Sequence, residues 1–167
     1  IALPVAALTE KSRKKIGSWF KADLKGLPVD GRLRAFVPEK RAFLSEKEIE
    51  GILEESEKNP LRIPLLDEAQ EKRLVESFAP IFVQDVAAPY DRIGRVVWKD
   101  DDVDIDPERP TVYYYISYAF LKEKPILQIN YVIWYSERAG QRAPSIEKGH
   151  LDGLTVRVSL DTKGEPF

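Results

Sequence analysis

Gly149-His150-Leu151-Asp152-Gly153 is the one stretch of this chain whose residue types and spacing look made for chemistry. In an extended backbone, residues two apart project to the same side. The His150 imidazole and the Asp152 carboxylate would then converge on one point. That convergence suits a divalent metal, or a general base oriented by an acid. The flanking glycines let the backbone turn sharply and come close to a ligand. His150 is the only histidine, so any Ser-His-Asp set must use it. No Gly-x-Ser-x-Gly elbow supplies a nucleophile, and nothing selects among Ser117, Ser136 and Ser145.

His-x-Asp with a distant second histidine is the ligand pattern of facial-triad iron oxygenases. The second histidine is missing here. A catalytic or metal set on His150 and Asp152 therefore needs residues outside this chain. The plainer alternative makes Asp152-Gly153 a turn and His150 a polar loop residue. Arg138 and Arg142, with Glu137, Glu147 and Lys148, lie in the polar loop that leads to His150. An arginine beside a carboxylate and an imidazole could hold an anionic substrate. A second cluster, Asp100 to Glu108, places Asp102, Asp104 and Asp106 in alternation. Hard oxygen ligands at that density could hold Ca²⁺. Pro107 stands where an EF-hand loop needs glycine, and no glutamate falls at the closing position. The run reads as a solvated acidic loop.

The elements that must position these residues change character along the chain. From residue 80 the apolar period is about two. Ile81–Asp85 and Arg92–Lys99 read as strands, and Thr111–Phe120 and Pro125–Tyr135 as a long hairpin closed by Leu121–Lys124. Facing Phe120 with Pro125 sets the register by counting. Val112, Tyr114, Ile116 and Tyr118 then share an apolar core face with Leu127, Ile129, Tyr131 and Ile133. The opposite face carries Tyr113, Tyr115, Ser117 and Ala119 against Ile126, Gln128, Asn130 and Val132. Rings among uncharged amides suit a surface on which helices pack, or a ligand groove. The ligand-face candidates are Tyr113, Tyr115, Ser117, Gln128 and Asn130, with Arg138 and Arg142. Leu154–Asp161 alternates as a further strand. Asp161-Thr162-Lys163-Gly164 reads as a hairpin turn, with Glu165-Pro166-Phe167 starting a return arm.

Residues 1–79 read as helical. Thr9 caps a first amphipathic helix carrying Ile16, Trp19, Phe20, Leu24 and Leu27, with basic residues on its other face. Residues 28–44 read as irregular. Ser45 and Glu48 form a capping box ahead of Ile49, Ile52 and Leu53, and Asp67 caps a third helix reaching about Phe78. The expected fold is α+β, with N-terminal helices packed on a C-terminal antiparallel sheet of about four or five strands. Residues 80–167 form the β-rich part, and its last arm would leave an edge to be paired by more polypeptide or by a protein partner.

The totals narrow the function. The 167 residues fit one domain. The net charge is −2, without the basic excess of a nucleic-acid binder. No apolar run is long enough for a transmembrane segment. The chain has no cysteine, which removes thiolate chemistry, and no methionine at position 1. Its apolar opening, Ile1–Leu8, could follow a removed signal peptide or an internal cut, with a periplasmic or secreted location the preferred reading. Two functional classes stay open. One is a binding or assembly module. The other is a metal-dependent enzyme or metal-binding protein centred on His150 and Asp152, with a divalent metal as its cofactor.

Overall fold

The structure is a computed structural model describing residues 28–138 and 149–167, with Arg13, Lys14, Gly17 and Gly26. The first amphipathic segment expected from the sequence otherwise lies outside the described residues, as does Arg142. The described chain is mixed α+β, with two helices of ten residues and antiparallel strands in small sheets.

Strand β1, Arg32–Phe36, falls inside the stretch expected to be irregular. Its alternation is short, and a strand of five residues needs a partner. That partner is β4, Phe82–Val86, about fifty residues on, with Phe36 opposite Phe82. Between them come helix α1, Glu46–Glu55, the short pair β2, Glu57–Lys58, with β3, Pro64–Leu65, and helix α2, Glu68–Ser77. Both helices begin as the sequence implies. Ser45 and Glu48 form a reciprocal box at α1, and Asp67 and Gln70 form one at α2.

A 3₁₀ turn, Pro89–Asp91, leads to β5, Arg95–Lys99, and β6, Asp102–Asp106. The acidic run is therefore a strand, not a loop. Two causes outweigh its charge. Asp100 and Asp101 take φ of 51° and 64°, the paired positive φ of a tight hairpin turn, which Asp tolerates better than most residues. Arg95 and Lys99 then face Asp106 and Asp102 across the ladder, where opposite charges stabilise pairing.

The largest sheet has three strands: β7, Tyr113–Leu121, β8, Lys124–Arg138, and β9, Gly149–Leu160. It replaces the single four- or five-stranded sheet expected from the sequence. Phe120 faces Pro125, Tyr115 faces Asn130 and Ser117 faces Gln128, as the count gives. The expected four-residue loop tightens, because Leu121 and Lys124 also pair and only Lys122 and Glu123 turn, at φ of 49° and 65°. The hairpin after β9 also forms. Gly164 takes φ of 85°, and Leu160 bridges Pro166. A side chain at Gly164 would meet Ile49 of α1, so the glycine is needed for space as well as for its backbone angle.

One buried cluster joins Ile49, Ile52 and Leu53 of α1 and Leu74 and Val75 of α2 to Leu127, Ile129, Tyr131 and Ile133 of β8. Tyr131 is buried with its hydroxyl donating to the Val75 carbonyl at 2.8 Å. Burial pushes that hydroxyl's pKa far above the ordinary tyrosine value. Among the described residues, no helix is long and apolar enough to cross a membrane.

Candidate functional site

His150 and Asp152 lie within β9, which starts at Gly149, five residues before the strand expected from the sequence. Neither the loop nor the turn of the plainer reading is present. The premise of a uniformly extended backbone also fails. Leu151, between the two residues, has φ of 66°. Pairing stops there: Glu137 faces His150 and Tyr135 faces Asp152, with no bridge between Ser136 and Leu151. Two-residue alternation therefore does not fix the directions of the two side chains.

Each group has its own partners. The exposed His150 holds the Val103 carbonyl of β6 through Nε2 at 2.9 Å. A carbonyl only accepts, so in this contact Nε2 carries a proton and donates it. Asp152 accepts from the Gly153 N–H at 2.9 Å and meets the Arg138 guanidinium at 3.7 Å. Arg138 and Glu137 belong to β8, not to a loop. The arginine–carboxylate neighbourhood inferred from chain proximity thus exists, built by strand pairing. Among the described residues, no group of three or more His, Cys, Asp or Glu side chains is placed to hold a metal ion.

Beside Asp152 lies a contact that the sequence does not announce. The Gln84 side-chain amide of β4 donates to the Tyr135 hydroxyl of β8, and its Oε1 is buried without a partner among the described residues. Burial raises the Tyr135 pKa, the Gln84 bond lowers it, and the Asp152 and Asp91 charges raise it again. Tyr135 and Gln84 sit in separate sheets, so only the tertiary fold brings them together.

The mixed face of the hairpin resolves into a directed row of hydrogen bonds across three strands. Arg157 Nε donates to Asn130 Oδ1 at 2.7 Å, and Asn130 Nδ2 donates to Ser117 Oγ at 2.9 Å. Ser117 Oγ then donates to Gln128 Oε1, and Gln128 Nε2 to Ser159 Oγ, both at 3.3 Å. Asn130 is 0% exposed and its amide is fully engaged. Tyr113 accepts the Val96 N–H of β5 at 3.0 Å, whereas Tyr115 keeps 48% of its surface in solvent. Most of the polar capacity on this face is spent inside the sheet.

Space for a ligand opens elsewhere. A cavity of about 630 Å³ lies among the end of β1 and residues 37–40, the end of α2, Ile93, Pro110–Val112, Tyr114 and Tyr131. Phe36, Val37, Val75, Ile93 and Val112 supply apolar walls, and Glu39, Lys40 and Glu76 supply the charges. Val112 and Tyr114, expected in the core, are 39% and 46% exposed. Searches against protein-family models, curated proteins and solved structures gave no significant match, so the site is characterised by its own geometry.

Proposed function

We propose that this protein is a binding module whose ligand site is the apolar cavity beside Tyr114. The cavity itself carries the reading. Its volume falls in the range of small-molecule sites, roughly 300–1,000 Å³, and its lining mixes an apolar majority with charged and hydroxyl groups. Val112 and Tyr114 end the apolar row of the hairpin yet keep large parts of their surface in water. Apolar surface held open in a concavity is what a ligand would cover. The polar row on the other face favours the cavity as well, because its amides already satisfy one another.

An NMR screen of small apolar and amphipathic fragments tests this reading. Shifts should cluster at Phe36, Ile93, Val112 and Tyr114. Val112→Trp, which fills the cavity from its partly exposed rim, should abolish them. Shifts that ignore the cavity, or that survive Val112→Trp, would remove this reading. A parallel Zn²⁺ titration examines the enzyme or metal-binding class. Stoichiometric shifts at His150 and Asp152, lost in His150→Ala, would put the metal site in its place.

A further inference from the structure

We infer that the ligand of this cavity is an organic cation with an apolar body, an inference that rests on the binding reading above. The charge around the cavity is uneven. Glu39 and Glu76 line it against Lys40 alone. Glu39 and Lys40 are exposed, so solvent screens both. Glu76 is half-buried, and its carboxylate has no ion pair among the described residues. Its field in the cavity is the least screened of the three.

Backbone electrostatics has the same sign. Glu76 belongs to the last turn of α2, and the cavity is lined by Val75, Glu76, Ala79 and Pro80 at that end. A helix C-terminus carries partial negative charge and favours a cation, yet this last turn holds no basic residue. A carboxylate at that position adds to the helix end instead of opposing it. Arg41 donates to the carbonyl of the lining residue Ala79 at 3.4 Å, so one cation of the chain already meets this end of the helix. The aromatic wall completes the match. Tyr114 is half-exposed on the cavity and Phe36 lies beside it, and ring faces attract ammonium groups. An ammonium near Glu76 with a hydrocarbon or aromatic body against Phe36, Ile93 and Val112 satisfies both features at once.

Three probes of one shape and different charge separate this inference from the reading beneath it: 2-phenylethylammonium, 2-phenylethanol and 3-phenylpropionate. Each is titrated by NMR into the full chain. The ammonium should bind about fivefold more tightly than the alcohol, the scale of one modest cation–π or ion contact. The propionate should bind weakest. Glu76→Gln should remove most of the preference by weakening the ammonium far more than the alcohol, and Glu39→Gln should reduce the preference by a smaller factor. Equal binding of ammonium and alcohol, or tightest binding of the propionate, would overturn the cation assignment while the cavity remained a binding site. Absence of cavity shifts with all three probes would instead sink the binding reading.

Discussion

Neighbouring residues of β8 lead opposite lives. Ile129 and Asn130 are both 0% exposed. Ile129 points its chemistry into the cluster shared with α1 and α2. Asn130 sits in a polar row running from Arg157 to Ser159. The strand's alternation separates them, and equal burial has unequal causes. One face is held by dispersion and by exclusion of water, without direction. The other is held by a chain of oriented donors and acceptors, in which each group depends on its neighbours. The difference shows which face can give way gradually and which cannot.

Ile129→Ala should be the more damaging single change, at about 3–4 kcal/mol, because it opens a void in a close-packed cluster. Asn130→Leu should cost about 2 kcal/mol, since it keeps the volume but strands Ser117 and the Arg157 contact. Urea unfolding measures both. The signatures should differ as well. Combining Asn130→Leu with Ser117→Ala should cost less than the sum of the two single changes, because the second removes a hydroxyl that has already lost its Asn130 donor. Full additivity would break the claim that the row acts as a unit.

Part of this contrast is written in the sequence. The register of β7 with β8 follows from counting outward from a short turn, and the helix starts follow from Ser45 with Glu48 and from Asp67, because both signals are local. What escaped is what depends on distant partners. β1 is a strand because β4 exists fifty residues later. The acidic run became β6 because the Asp100-Asp101 turn and the Arg95 and Lys99 charges on the facing strand outweighed its charge density. Near the candidate site, chain proximity put Arg138 among several polar residues within reach of His150, and strand pairing sets it against Asp152. The Gln84–Tyr135 contact joins two sheets and has no local signature. The cavity was hidden for a different reason. Val112 and Tyr114 carry apolar and aromatic side chains at core positions, and residue type does not say where the cover ends.

Ionisation sharpens the comparison at smaller cost. Tyr118 and Tyr131 belong to the apolar row, and burial raises both hydroxyls above the ordinary tyrosine value, with the Glu71 charge adding to the rise at Tyr118. A raised value in the folded state means that the unfolded chain releases its proton first. Stability from these groups is present below about pH 10 and is lost as pH rises toward their folded values. Tyr131→Phe should remove one late component from the phenolate absorbance titration. It should also cost about 1 kcal/mol at neutral pH through the lost bond to the Val75 carbonyl. A titration in which Tyr131 ionised with the exposed tyrosines would mean that the apolar face is wetter than its packing implies.

The smallest expected effect lies at the N-terminus of α1, which supplies Ile49, Ile52 and Leu53 to the apolar face. Glu48 Oε2 accepts from the Ser45 N–H at 2.9 Å and from the Ser45 hydroxyl at 2.8 Å, and Oε1 meets Arg73 of α2 at 3.4 Å. The Ser45 backbone bond lowers the Glu48 pKa most, followed by the Ser45 side chain, with Arg73 adding a little against a small desolvation penalty. A lowered folded value means that this stabilisation is present above the unfolded glutamate value and fades as pH falls through the folded one. The group is exposed, so the effect should be minor and sensitive to salt. Glu48→Gln keeps an acceptor for Ser45 but loses the charge. Wild type should therefore be the more stable at about pH 6, and the gap should narrow as pH falls through the lowered folded value. At α2 the reciprocal acceptor is the Gln70 amide, and the carboxylate of the box is the cap residue itself, Asp67, which accepts the Gln70 N–H at 2.8 Å. Acid should then loosen the apolar cluster from its helical side while the Asn130 side-chain amide stays protected from exchange. Simultaneous loss of both signals would show that the two faces of β8 unfold as one unit and that their difference is one of chemistry alone.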